Sequence, residues 1–208
     1  MNYIYTLDNL CYEIDNKSII NKISCAIEYN KVTNIQGANG AGKTTLLKLI
    51  YGLYKPSSGI ITRHFDSQKL KQSYLFQNSI LLNRSIKENL NHTLYCQDVE
   101  KVNWNNIILK TAREFNLEHI LQLDVKTLSG GEFQLLTVLR GILNYPNILF
   151  LDEPTNNLDL RNIEIIVNII RSFQKYGNTI LLVSHDRNLL DMIEYDQISI
   201  NSGEIIND

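Results

Sequence analysis

Gly37-Ala38-Asn39-Gly40-Ala41-Gly42-Lys43-Thr44 brings three glycines, a lysine and a hydroxyl residue into one short run. Its chemistry is phosphate binding. Glycines let the backbone turn and approach a ligand with no Cβ in the way, so successive N–H groups can face phosphate oxygens. The run follows the apolar-rich Val32-Thr33-Asn34-Ile35 and precedes the helical pattern Thr45-Leu46-Leu47-Lys48-Leu49-Ile50. A strand therefore feeds a helix N-terminus, whose amides and dipole favour an anion. Lys43 adds a full positive charge beside the β and γ phosphates of a nucleotide, and the Thr44 hydroxyl is a ligand for Mg²⁺. Thr45 closes the nucleotide-contacting run that begins at Gly37.

A second constellation complements the first. Ile148-Leu149-Phe150-Leu151 reads as a buried strand, and Asp152-Glu153 ends it. Adjacent strand residues point to opposite sides, so the two carboxylates can divide their labour at the carboxyl edge, where open α/β sheets bind ligands. Asp152 is expected to hold Mg²⁺, directly or through water, and Glu153 to polarise the water that attacks the γ phosphate. Alone, such a pair is as often a helix cap or a solvated loop. About one hundred residues behind a phosphate loop, it reads as the other half of a nucleotide site.

These residues need a scaffold. Segments 3–7, 23–27, 32–35, 60–62, 74–76, 148–151, 179–183 and 198–200 have strand length and β-branched or aromatic content. Between 85 and 145 the pattern turns helical: Leu135, Leu136, Leu139, Ile142 and Leu143 recur at helical spacings and Pro146 ends the run. Helices over 43–51 and 161–176, alternating with near-continuous apolar strands, predict a mostly parallel sheet covered on both faces. The fold class is therefore α/β: a P-loop NTPase core with a mostly parallel sheet, an antiparallel N-terminal β portion and an α-helical subdomain. The whole of 1–208 reads as a single nucleotide-binding domain, with the helical subdomain of approximately 85–145 inserted in the core. Little chain follows Gly203, so no appended regulatory domain is expected.

Composition narrows the class further. The 208 residues are 44% hydrophobic, enough for a sizeable core, and the formal charge of -2 argues against a surface dominated by nucleic-acid or anionic-lipid binding. Cys11, Cys25 and Cys96 are widely spaced with no Cys-x-x-Cys pair, so neither a disulfide framework nor a zinc site is indicated. The first sixteen residues include Asp8, Glu13 and Asp15 and lack the apolar core of a secretory signal. No stretch is apolar for long enough to cross a bilayer, so work on a membrane requires another chain to supply the span.

Together the motifs resemble the ATP-binding-cassette (ABC) superfamily over essentially the whole chain. Leu128-Ser129-Gly130-Gly131-Glu132 is similar to that family's signature loop. Read without the family, a serine and two glycines at a helix start form either a second anion site or an ordinary N-cap. The resemblance implies that Ser129, Gly130, Gly131 and Glu132 meet ATP held by the phosphate loop of a second subunit, two cassettes closing head to tail, most simply as a homodimer. It implies that Gln77 approaches the metal and the attacking water and senses a membrane partner, so that Thr44, Gln77 and Asp152 form the metal set. His185 matches the switch histidine that contacts the γ phosphate, giving Glu153, His185 and Gln77 as the catalytic group. Asn156-Asn157-Leu158-Asp159 resembles the loop by which one subunit contacts the other, with Asp159 at the contact.

Two positions depart from the family pattern. The adenine-stacking aromatic falls near Ile14, and Tyr12 lies two residues earlier on the same strand face, so either Tyr12 stacks on the base or Ile14 covers it. Leu135 stands where the family usually has arginine, while Arg140 matches.

The resemblance implies an ATPase, with ATP and Mg²⁺ as cofactors, at the cytoplasmic face of a membrane. Its expected partners are a membrane permease, a second cassette and, for import, a substrate-binding protein; no nucleic acid is expected. Segments 75–90 and 157–162 look most like ATPase subunits of oxyanion importers, especially the tungstate type. Small exporters of haem, peptides or drugs are the first alternative. A soluble ATPase acting on ribosomes or assembly factors is the second, echoed by Thr155 to Asp159 and by Ser184-His185-Asp186-Arg187, although that branch carries two cassettes and basic surfaces.

Overall fold

The computed structural model describes residues 2–66, 69–77 and 79–206. Asn78, within the segment compared with oxyanion importers, lies outside the described residues.

The N-terminal sheet is antiparallel and is built from β1 (Tyr3–Ile14), β2 (Lys17–Glu28) and β4 (Ser58–Arg63), in the order β2-β1-β4. Asp15 and Asn16 join β1 to β2 with φ of 49° and 62°. Two left-handed residues in a two-residue loop match the twist of a hairpin, and Asp and Asn tolerate that region better than other side chains. Both strands run beyond the predicted segments, because their outward faces are exposed and carry no apolar pattern.

The second sheet contains β3 (Val32–Gln36), β5 (Gln72–Leu75), β6 (Ile148–Asp152), β7 (Thr179–Val183), β8 (Asp196–Asn201) and β9 (Glu204–Ile205), in the order β5-β6-β7-β3-β8-β9. All pairings are parallel except that of β9 on the edge. Every residue of β6 and β7 is buried, as expected for strands covered on both faces. Alternation divides them between two cores. Ile148, Phe150, Leu181 and Val183 pack with α1 (Lys43–Tyr51) and the antiparallel sheet, whereas Leu149, Leu151, Ile180 and Leu182 pack with α4 (Gly130–Ile142) and α5 (Leu160–Lys175).

Between β5 and β6 the described elements are helical: α2 (Ile86–Cys96), α3 (Trp104–Glu114), α4 and short 3₁₀ turns. Ser85 and Glu88 form a capping box at the start of α2. Leu90, Leu94, Ile108 and Ala112 join the apolar cluster that includes Leu136 and Leu139 of α4, so these helices share a core with one face of the sheet. α4 ends at Ile142, short of the predicted run: Asn144 and Tyr145 adopt left-handed φ of 62° and 47° just before Pro146. A short α6 (Arg187–Leu190) follows β7. Among the described residues no helix is long and apolar enough to cross a membrane.

Parallel pairing has one consequence for function. The carboxyl ends of β3, β5, β6 and β7 lie at a single edge of the sheet, bringing together loops far apart in sequence.

Candidate functional site

At that edge the phosphate loop closes tightly between β3 and α1. Gly37 has φ of 153°, and a Cβ built there would fall 2.1 Å from the Ile200 carbonyl oxygen of β8. Gly42 has φ of 102°, and its Cβ would meet the Ile19 carbonyl oxygen at 2.9 Å. Both positions therefore demand glycine. Among the described residues no side chain caps the start of α1, so side chains leave its first N–H groups free for a ligand. Lys43 folds across it, Nζ donating to the carbonyls of Gly37 at 2.9 Å and Ala38 at 3.0 Å.

Asp152 is buried, and both of its carboxylate oxygens accept a hydrogen bond. Thr44 Oγ1 donates to Oδ1 at 2.9 Å and the Tyr74 hydroxyl to Oδ2 at 3.1 Å. Burial raises the Asp152 pKa, against the opposing pull of those two hydrogen bonds and of the Lys48 and Lys43 charges. Burial, followed by the Asp152 charge, also raises the pKa of the Tyr74 phenol. Thr44 and Asp152 offer only hard oxygen donors, and among the described residues no group of three or more His, Cys, Asp or Glu could enclose a metal. A pair of oxygens whose remaining ligands must be phosphate and water fits Mg²⁺, which keeps several waters and seldom occupies an all-protein cage.

Glu153 follows with φ of 49°, uncommon for a residue with a side chain. The reversal lets its N–H donate to the Val183 carbonyl at 2.8 Å and brings its carboxylate to the end of β7. There Oε1 lies 2.9 Å from Nδ1 of His185. The histidine side chain is 76% exposed and the glutamate only 10%, so the imidazole covers the carboxylate from the solvent side. Asn34, buried in β3, fixes the histidine loop. Its Nδ2 donates to the Ser184 carbonyl at 3.3 Å, and its Oδ1 accepts from the Ser184 N–H at 3.2 Å.

A cleft of about 390 Å³ is lined by Ile19, Asn39, Gly40, Gly42, Lys43, Thr44, Thr45, Gln77 and Glu153. It gathers the phosphate loop, the glutamine after β5 and the carboxylate after β6. Ala38 and Ala41 belong to the loop framework: the Ala41 N–H donates to the Ala38 carbonyl at 3.1 Å, and the Ala41 carbonyl accepts from the Gly203 N–H at 3.1 Å.

Other predicted residues lie away from this lining. Ser129 N-caps α4 and forms a capping box with Glu132, whose Oε2 accepts from the Ser129 N–H at 2.8 Å and hydroxyl at 2.7 Å. Gly130 and Gly131 face Asn157 and Leu158, so this helix start and the 156–159 loop pack on each other. Asp159 caps α5, accepting from the Asn162 N–H at 2.9 Å. Tyr12 is stacked on Tyr54 at 5.4 Å, just beyond the C-terminal end of α1, whereas the cleft lies at its N-terminal end. Ile14 is 47% exposed near the hairpin tip. Neither residue lines the cleft; Ile19 of β2 does. Leu135 is buried in the core shared with the helical region, so an apolar residue suits its place.

Four contributors escape a reading by motif: Tyr74, Asn34, Ile19 and Gln134, whose Nε2 donates to the Pro154 carbonyl at 2.9 Å and ties α4 to the turn after Glu153. Asn34 alone leaves a sequence signal, a polar residue inside an apolar strand.

Residues 20–156 match the family described as ABC transporter. The zinc import ATP-binding protein ZnuC of Wigglesworthia glossinidia brevipalpis is 33% identical over 199 residues, covering 95% of this chain and 82% of that protein. The ATP-binding protein Uup of Buchnera aphidicola subsp. Schizaphis graminum is 37% identical over 194 residues, covering 90% of this chain but only 31% of that much longer protein. Among solved structures, cbiO1 from Clostridium perfringens, part of the ABC transporter complex cbiONQ, superposes with a TM-score of 0.83 at 23% identity, covering 100% of this chain and 88% of that one. The post-hydrolysis dimer of the ATP-binding cassette MJ0796 bound to ADP and Pi gives 0.84 at 24% identity, covering 98% and 97%. At these identities the structural likeness speaks for the fold.

Proposed function

This chain belongs to the ABC transporter family and is an ATPase of that family; from that premise we propose that it powers a membrane transporter, working as one of two cassettes beneath a separate permease. One observation carries the reading: Lys43, Thr44, Gln77 and Glu153 share one cleft, with Asp152 on Thr44 and His185 on Glu153.

The loop amides and Lys43 bind the β and γ phosphates of ATP, Lys43 exchanging the carbonyls of Gly37 and Ala38 for phosphate oxygens. Thr44, Asp152 and Gln77 would hold Mg²⁺, which would supply neutralisation of phosphate charge. Glu153 polarises the attacking water, and His185 reaches the γ phosphate from the solvent side while holding the glutamate in place. Ser129 to Glu132 serve a nucleotide on a second copy of the chain, with Asp159 and its loop at the contact. The helical subdomain of about 85–145 and the segment around Gln77 take the force to the permease at the cytoplasmic face.

For the substrate we favour a metal ion such as zinc, because the ZnuC relatives named for zinc import match over most of their length. Import of this kind brings a substrate-binding protein as a further partner. An oxyanion of the tungstate type is the second reading, supported by the resemblance of 75–90 and 157–162. Co-expression with each candidate permease of the same genome, followed by ATP-driven uptake of radiolabelled zinc or tungstate into proteoliposomes, tests both. Zinc uptake is the expected result; tungstate uptake would select the second reading. A chain that copurifies with no permease would remove the transporter role.

A further inference from the structure

The Asp152 carboxylate is held from two sides that differ in kind. Thr44, which donates to Oδ1 at 2.9 Å, lines the nucleotide cleft. Tyr74, which donates to Oδ2 at 3.1 Å, stands on β5 outside that lining. Asp152 is 1% exposed and is itself no part of the lining, so a ligand in the cleft meets it past Thr44.

The Tyr74 hydroxyl has little freedom to leave its acceptor. β5 and β6 pair with Tyr74 beside Phe150, and the two rings are stacked with centroids 6.0 Å apart. Tyr51 of α1 meets the same ring edge-on at 5.3 Å, and Phe76 packs on it at 4.5 Å. These aromatic contacts fix the ring, and a phenol has one proton to give. Here it goes to a carboxylate, which makes the bond one of the stronger class.

The two oxygens of Asp152 are therefore not equivalent. Oδ1 sits beside the hydroxyl that lines the cleft, whereas Oδ2 is turned to a buried ring and already bound. A carboxylate held in this way serves a cation, or its water, through one oxygen. Mg²⁺ suits that supply, because it is small and keeps several of its own waters. Ca²⁺ takes about six to eight oxygen ligands and readily uses both oxygens of one carboxylate.

We propose that Tyr74 is a positioning residue that sets the cation preference of the nucleotide site: by occupying Oδ2 it holds Asp152 one-sided, admitting Mg²⁺ and disfavouring Ca²⁺. This rests on the assignment of Asp152 to the metal set above and adds to it the residue that tunes the choice of ion. Without the hydroxyl, Oδ2 would lose its donor while still buried, which is costly. Turning both oxygens towards the cation relieves that cost, and the larger ion gains the more from it.

The test uses the full chain with a non-hydrolysable ATP analogue and Mn²⁺, whose bound form is read by electron paramagnetic resonance while Mg²⁺ or Ca²⁺ is titrated in to displace it. Tyr74→Phe removes one oxygen and keeps the ring. It is expected to cut the preference for Mg²⁺ over Ca²⁺ by about tenfold, the scale of a hydrogen bond to a charged group. Tyr74→Met, which lacks the hydroxyl but adapts to the same space, should give the same shift. Tyr51→Phe, whose ring packs on Tyr74, should keep the wild-type preference. An unchanged preference in the Tyr74 variants would overturn the inference. So would equal weakening of both ions, the mark of a merely structural role, or an equal shift in Tyr51→Phe. Asp152→Asn separates the two readings: it should weaken Mn²⁺ binding, and binding at wild-type strength would remove the metal-site assignment and the inference with it.

Discussion

The starts of α1 and α4 are both glycine-bearing helix N-termini, yet their glycines answer to different neighbours. At α1 the chain itself demands them: Cβ atoms at Gly37 and Gly42 would strike backbone oxygens of β8 and β2. At α4 a Cβ on Gly130 would approach only the Asn157 side chain, at an ordinary 3.6 Å, and both glycines there are plain helical residues. Among the described residues the first helix start has no side-chain cap and its first turn lines the cleft, whereas the second is already closed by Ser129 and the Glu132 carboxylate. One, on the proposed reading, is a phosphate cradle built within a single chain. At the other, contacts among the described residues do not demand glycine, which suits the proposed close approach of a second subunit's nucleotide.

Removing the chemistry from the α1 end should have the largest effect. Glu153→Gln is expected to lower ATP turnover by about 10²–10⁴-fold while ATP binding persists, as befits loss of a general base; turnover at the wild-type rate would take Glu153 out of that role. Gly37→Ala comes next, costing about 2–4 kcal/mol of stability in denaturant unfolding, because the loop must leave β8. Lys43→Ala should weaken ATP binding about 10–100-fold in titration calorimetry, the loss of charge-assisted hydrogen bonds to phosphate.

The α4 end should respond in the opposite pattern. Gly130→Ala is expected to leave stability within about 0.5 kcal/mol and ATP affinity of the monomer unchanged, yet weaken ATP-driven pairing in sedimentation by about fivefold. Equal damage to monomer binding at both ends would erase the distinction.

The smallest effect concerns pH. Hydrogen bonds from the Ser129 N–H and hydroxyl hold the Glu132 carboxyl below the usual glutamate range. A depressed folded value means that the cap contributes fully above the unfolded glutamate value and is lost as pH falls through the folded one. Amide exchange in the first turn of α4 should therefore quicken as pH falls below the ordinary glutamate range, while that of α1, which has no acidic residue in its first turn, should not.

Much of the cleft was legible in the chain. The phosphate loop and Asp152-Glu153 announce themselves because their chemistry needs particular residues at fixed local spacing, and the strands beside them are buried on both faces and so read as unbroken apolar runs. Tyr74 and Asn34 were not legible as site residues. Each acts through one hydrogen bond partner brought close by sheet order, Asp152 for Tyr74 and the Ser184 backbone for Asn34, and no local pattern records such a pairing. Tyr12 shows the same limit from the other side: strand periodicity gives its face, but its ring meets Tyr54 because of how the antiparallel sheet crosses the end of α1.

By itself, then, the sequence determined the local chemistry: a phosphate-binding helix start, a carboxylate pair at a strand end, a self-capped second helix start, and the alternation that divides β6 and β7 between two cores. Short-range sterics and side-chain period suffice for these. Only the tertiary structure decided which of them meet. The parallel order β5-β6-β7-β3 carries Gln77, Glu153 and His185 to the phosphate loop, while the packing of α4 against the 156–159 loop keeps Ser129 out of the cleft. Among the described residues it also left Arg140 without a carboxylate partner between α2 and α4. Those outcomes depend on long-range burial of apolar faces, which fixes distances that spacing along a chain cannot.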